Sequence, residues 1–178
     1  MLKNTPNSYG TLGKTFHWLS AVIVIGLFAL GWWMVDLTYY SEWYQTAPFY
    51  HESFGILFAI LLISRFIVIL SQGKPEPIAS QAMWEKRSAT IAHNLLYLLM
   101  FILIITGFLI STADHRGINV FGLFEIPPLF DAFDNQEDIA GDIHEWSAYV
   151  LIAIAVIHTL GALKHHFIDK DETLKRML

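Results

Sequence analysis

The chain has 178 residues, of which 54% are hydrophobic, 15% aromatic and only 15% charged, with a formal net charge of −5. That is too apolar for an ordinary soluble domain of this length, and the acidic balance offers no nucleic-acid footprint. With no cysteine, disulfides, thiolate metal sites and iron–sulfur ligation are excluded, and histidine is left as the soft nitrogen ligand.

The hydrophobic residues are clustered. Uncharged runs at 15–35, 91–111 and 146–163 each approach or exceed the roughly 18–20 residues that cross hydrocarbon. A fourth run, about 48–71, is interrupted at mid-span only by Arg65, with Glu52 close to its start. A mid-span arginine costs about 2.5–3.5 kcal/mol on insertion scales, so it needs a partner inside the protein. The first run is too long for a signal peptide and lacks an A-x-A cleavage pattern, so it reads as an uncleaved span.

In chain order the sequence predicts helices over about 13–36, 48–71, 85–112 and 138–167, an all-α integral membrane four-helix bundle in one domain over 1–178. Helix 1 runs into the aromatic stretch "WWMVDLTYYSEWY", typical of a membrane–water interface. Gly and Pro in "SQGKPEPIASQ" mark a turn between helices 2 and 3. The outer loop, 113–137, contains "FGLFEIPPLFDAF", too apolar for a free linker, and is expected to cap the outer ends of the bundle.

Charge sets the orientation. Lys3, Lys14, Lys74, Lys86, Arg87, Lys164, Lys170, Lys175 and Arg176 fall on one side, which the positive-inside rule makes cytoplasmic, with both termini inside. The opposite loops hold Arg116 against Asp36, Glu42, Asp114, Glu125, Asp131, Asp134, Glu137 and Asp138.

This topology gives each histidine a depth. His17 opens helix 1 on the inner side and His51 opens helix 2 on the outer side. On helix 4, His144 lies near the outer face and His158 fourteen residues on (158 − 144), ~21 Å further in. Fourteen steps of 100° come within ~40° of whole turns, so both point to one side of the helix. His17 matches His158 in depth, and His51 matches His144. A lone intramembrane histidine serves equally well as a hydrogen-bonded core residue. Four that pair by depth suit two six-coordinate haems, each iron held by two imidazoles.

Arg65 follows His51 by fourteen residues (65 − 51), which places it at the inner level, suited to a haem propionate. Gly31, Gly107 and Gly55 fall where a missing side chain would give a macrocycle room. His93 reads as a quinone or propionate partner, a spare ligand or a packed polar residue. Other histidine chemistries fit less well: only His165 and His166 are adjacent, so the clustered boxes of a di-iron enzyme are missing. Structural zinc wants four ligands together, and a proton relay wants interior carboxylates.

"FHWLSA", "HESFGILFAILLISR", "IAHNLLYLL" and "GDIHEWSAYVLIAIAVIHTLGALKHHFIDKDETLKRML" together resemble the bacterial cytochrome b561 family of di-haem inner-membrane cytochromes. The resemblance implies two non-covalent b haems in a multi-pass inner-membrane protein, with iron ligands falling on His17 with His158 and on His51 with His144. It implies electron transfer between a quinone, such as ubiquinone, and an outer-side partner, which a lone chain could carry out as a quinone-linked oxidoreductase. One branch oxidises superoxide while reducing ubiquinone, but an acidic outer face would repel that anion. The acidic face suits a periplasmic protein with a basic patch, and the resemblance suggests an isoprenoid-binding, lipocalin-like associate. His93, Lys164, His165 and His166 are the candidates for a quinone site at the inner end. The rival readings are a haem-carrying anchor subunit of a dehydrogenase or hydrogenase, and a haem-free transport or structural protein.

Overall fold

A computed structural model describes residues 2–130 and 132–178, so Asp131 of the acidic set lies outside the described residues. Four helices account for most of the chain: α1 (Thr11–Met34), α2 (Thr46–Gln72), α3 (Met83–Ser111) and α4 (Gln136–Phe167). All four are long and apolar enough to cross a membrane. They begin within two residues of the expected starts.

The helix ends follow local chemistry. Gly10 precedes α1 because the chain doubles back on itself there: a Cβ would sit 2.6 Å from the Lys3 carbonyl oxygen. Gly73 closes α2 in the left-handed region (φ 72°), its N–H donating to Ile69 O, where glycine carries no Cβ penalty. The Glu85 carboxylate accepts from the Ala82 N–H at 2.9 Å and so satisfies a donor at the start of α3. Glu137 and Asp138 occupy the first turn of α4, and Lys164 with His165 and His166 the last, each charge complementing the helix dipole.

α1 packs against α2 and α3 against α4, as two antiparallel hairpins that face each other less closely than their members do. Large apolar side chains such as Ile67 and Val156 are more than half exposed around the outside, as lipid-facing positions require. The buried core is a small cluster at mid-height: Phe58, Leu62, Met100 and Leu151, with Val24 and Leu27 packed against it.

The loop between α3 and α4 is not purely irregular. It forms a two-stranded antiparallel hairpin, β1 (Ile118–Val120) and β2 (Phe124–Ile126), with Val120 opposite Phe124. Phe121 and Gly122 at the turn both have positive φ, the conformation that matches strand twist in a tight hairpin. Ser53 of α2 donates to Asn119 O and accepts from the Phe121 N–H at 3.0 Å, and Phe54 meets Phe121 edge-on. The loop therefore caps the bundle directly above His51, as its apolar sequence implies. Buried Gln136 donates to Leu109 O and accepts from the Ala132 N–H, both at 2.8 Å, tying the start of α4 to the end of α3.

At the other end the two termini interlock with the α2–α3 loop. Trp18 Nε1 donates to Met177 O, Arg176 to Glu76 O, and Asn4 to Gly73 O. Both termini thus lie on one face together with most of the basic residues.

Candidate functional site

Seven-residue steps build the interior. Each helix carries three residues in phase, because seven steps of 100° fall ~20° short of two turns. The series are His17, Val24 and Gly31 on α1; His51, Phe58 and Arg65 on α2; His93, Met100 and Gly107 on α3; and His144, Leu151 and His158 on α4. Since neighbouring helices run in opposite directions, the twelve residues (3 × 4) form three layers.

The layer at the termini end holds His17, Arg65, His93 and His158. The His17 and His158 rings are 6.4 Å apart between centroids, with planes at 67°. His93 stands closer to His158, at 5.0 Å. Arg65 Nη2 lies 3.1 Å from His17 Nδ1, and its guanidinium lies 5.2 Å from the Tyr97 ring centroid. The partners of this half-buried cation among the described residues are therefore an imidazole and an aromatic face, not a carboxylate.

The layer at the hairpin end holds Gly31, His51, Gly107 and His144. The His51 and His144 rings are 6.2 Å apart, with planes at 68°. Both imidazoles are backed by glycine: a Cβ at Gly31 would lie 3.2 Å from His51 Cε1, and one at Gly107 3.3 Å from His144 Cε1. The room these glycines give is taken by the imidazoles themselves, a tighter role than clearance for a macrocycle. Gly55, one turn beyond His51, opens on free space, with no protein atom within 4 Å of a Cβ there. Thr106 Oγ1 lies 3.0 Å from His144 Nδ1, and His51 Nδ1 is buried without a hydrogen-bond partner.

Between them lies an apolar layer of Val24, Phe58, Met100 and Leu151, with Leu62 beside it fully buried. Sequence reasoning found the fourteen-residue spacings and missed this middle layer. The seven-residue repeat was the signal that could have shown it.

The four residues expected at a quinone site are not gathered together. His93 lines a cavity of about 40 Å³ with Tyr9, His17, Arg65, Lys74 and Tyr97. Tyr97 Oη is buried there without a partner. Lys164, His165 and His166 are not among the lining residues. Lys164 Nζ instead pairs with Glu85 Oε1 at 2.6 Å and Asp169 Oδ2 at 2.7 Å. His165 Nδ1 lies 2.7 Å from Asp169 Oδ2. His166 packs edge-on against Phe167. The Lys164 ammonium holds the Asp169 carboxyl below the usual carboxylate range and occupies the oxygens that a cation beside Glu85, His165 and Asp169 would need. His115, in the turn after α3, adopts a left-handed backbone (φ 62°) and donates its N–H to Thr112 O.

Four helices long and apolar enough to cross a membrane thus bring His17 to His158 and His51 to His144, edge-on, at two levels. The chain belongs to the prokaryotic cytochrome b561 family, whose model matches residues 8–178. It is 48% identical over 175 residues to cytochrome b561 homolog 2 of Escherichia coli K12, covering 98% of this chain and 93% of that one. Cytochrome b561 homolog 1 of the same organism is 25% identical over 166 residues, 91% of this chain and 92% of its own. A probable superoxide oxidase of Yersinia pestis is 27% identical over 175 residues, 96% of this chain and 95% of its own. Membership of this family implies haem b.

Glycine backing leads to a direct test. Gly31→Ala or Gly107→Ala forces the neighbouring imidazole to shift by a few tenths of an ångström and should perturb the visible haem spectrum. Gly161→Ala, on an exposed position with nothing within 4 Å, should leave it unchanged.

Proposed function

We propose that the protein is a di-haem electron carrier that links a quinone near its termini end to a redox partner at its hairpin end. The observation that carries this reading is the pair of facing imidazoles at each of two depths. Two ring nitrogens about 2 Å from a shared metal put the ring centroids roughly 6.2 Å apart, and the pairs stand at 6.4 and 6.2 Å. The glycines behind His51 and His144 leave both rings room to stand at that spacing. His17 with His158 and His51 with His144 would hold two b haems, and Arg65 would offset propionate charge. His93, 5.0 Å from His158, stands too close for that spacing and is read as a neighbour of the inner site.

Haem b at each level would supply one-electron redox chemistry. The chain's own residues do the rest. Val24, Phe58, Met100 and Leu151 fill the space between the levels and exclude water, so protons have no matching path. Quinone reduction to quinol takes two electrons and two protons. Tyr97 Oη and the His93 imidazole are the cavity groups able to hydrogen-bond a quinone oxygen and pass protons to it. The basic residues at the termini end favour a cytoplasmic position for that end in a prokaryotic inner membrane. The acidic hairpin end suits a periplasmic partner with a basic patch.

A second reading, superoxide oxidation coupled to quinone reduction, is favoured by the Yersinia relative. Charge argues against it, because Arg116 at that end is already paired with Asp114.

Three measurements bear on these readings. His51→Ala or His144→Ala should remove one haem per chain by pyridine haemochrome assay, and His17→Ala or His158→Ala the other. Full retention of both haems in any of the four would break the pairing. Quinone reduction by the pre-reduced protein should slow severalfold in His93→Phe and Tyr97→Phe with the spectrum intact. It should be unaffected in His165→Phe/His166→Phe; the opposite pattern would move the quinone to the ion-pair cluster. Superoxide should re-reduce the haems slowly and with little response to ionic strength, whereas fast, saturable consumption would favour the second reading.

A further inference from the structure

The start of α1 carries a second cavity, outside the histidine layers. Its volume is about 270 Å³, close to the roughly 300 Å³ at which small-ligand pockets begin, and it is lined by Lys3, Thr5, Ser8, Tyr9, Thr11 and Lys14. The lining thus offers two ammoniums and four hydroxyls, and no carboxylate.

The chain fixes the cavity wall by its own hydrogen bonds. Asn4 Oδ1 accepts from the Gly10 N–H at 2.8 Å, and Thr5 Oγ1 donates to Ser8 O at 3.2 Å while accepting from the Ser8 N–H at 3.1 Å. The Ser8 hydroxyl turns to Tyr9 O. With these hydroxyls holding the loop in shape, the ammoniums are left as donors for a ligand. Lys14 Nζ gives one donor to Leu178 O at 2.5 Å and keeps two. Lys3 is exposed, and its side chain has no hydrogen bond or ion pair among the described residues. α1 begins without a side-chain cap or an acidic residue in its first turn, so the positive end of its dipole adds to the same field.

Depth says where an anion for this cavity comes from. Lys14 is the last charge before the uncharged run of α1, and Trp18, one turn further on, is 45% exposed, as an aromatic side chain at the membrane–water interface is. Val22 and Ile25 continue along the same side at helical spacing, 67% and 63% exposed. A cationic pocket therefore stands at the head of a lipid-facing apolar stripe.

We propose that this cavity binds the phosphate of an anionic phospholipid, with Lys3 and Lys14 pairing with its oxygens and an acyl chain lying along Trp18, Val22 and Ile25. Ammonium groups suit phosphate as point charges, and each lysine close to an anionic membrane surface contributes about fivefold in affinity. The site stands apart from the four histidines and does not depend on what they hold.

Native mass spectrometry of the purified protein in mild detergent tests the proposal, with phosphatidylglycerol, phosphatidylcholine of the same chains, or inorganic phosphate added. One phosphatidylglycerol per chain is expected to stay bound, and phosphatidylcholine to be held severalfold more weakly. Lys3→Gln and Lys14→Gln should each weaken retention about fivefold. Arg87→Gln, which removes an exposed cation outside the cavity, should leave retention unchanged. Lys14 also anchors Leu178 O, so if Lys14→Gln fails to fold, Lys3→Gln carries the test alone. Equal retention of the two lipids, or a loss in Arg87→Gln as large as in Lys3→Gln, would overturn the proposal. Binding of inorganic phosphate that displaces the lipid would overturn it too, by assigning the cavity to a soluble phosphate.

Discussion

The seven-residue phase shared by all four helices is the constraint on which the rest depends. A helix turning 100° per residue returns almost to the same side after seven, so residues at that spacing stay inward along its length. On α4 this stacks His144, Leu151 and His158; on α2 it stacks His51, Phe58 and Arg65. Antiparallel neighbours then bring the same kinds of residue to the same depth. A shift of one residue in any helix would turn its imidazole by ~100°, away from its partner and toward lipid.

In lipid the apolar exterior gives no reason for helices to associate, so packing and interior polar contacts must hold them. The molecule uses both. The mid-height cluster around Leu62 packs tightly, and buried hydroxyls such as Ser20 and Thr106 donate back to carbonyls one turn earlier. Gln136 and Ser53 secure the hairpin end to the helices, while Lys164, Glu85 and Asp169 join α4, α3 and the C-terminal tail at the other. An unpartnered buried polar atom costs about 1–3 kcal/mol, and His51 Nδ1 and Tyr97 Oη are among the atoms that carry that cost.

The two ends of the bundle differ in kind. The termini end concentrates cations, interlocks the chain ends and encloses a cavity that includes Arg65, His93 and Tyr97. The hairpin end is acidic and closed by a short β-ribbon. Between them lies the apolar layer of Val24, Phe58, Met100 and Leu151.

Much of this was legible in the sequence because it depends on one helix at a time. Runs of apolar residues specified four spans, the phase of His144 and His158 showed that both face inward, and the clustering of lysines and arginines put both termini on one side. What depends on side chains from different helices was settled only by the tertiary structure. Lys164 reads in the sequence only as a cation at the inner end, and packing brings it to Glu85 of α3 and Asp169 of the tail. Gly31 and Gly107 were visible as gaps without showing what fills them. Thr106, unremarkable in an apolar run, meets His144 Nδ1 only because α4 packs beside it. Periodicity along a helix fixes which way a residue points, and only the packing of helices decides what it meets.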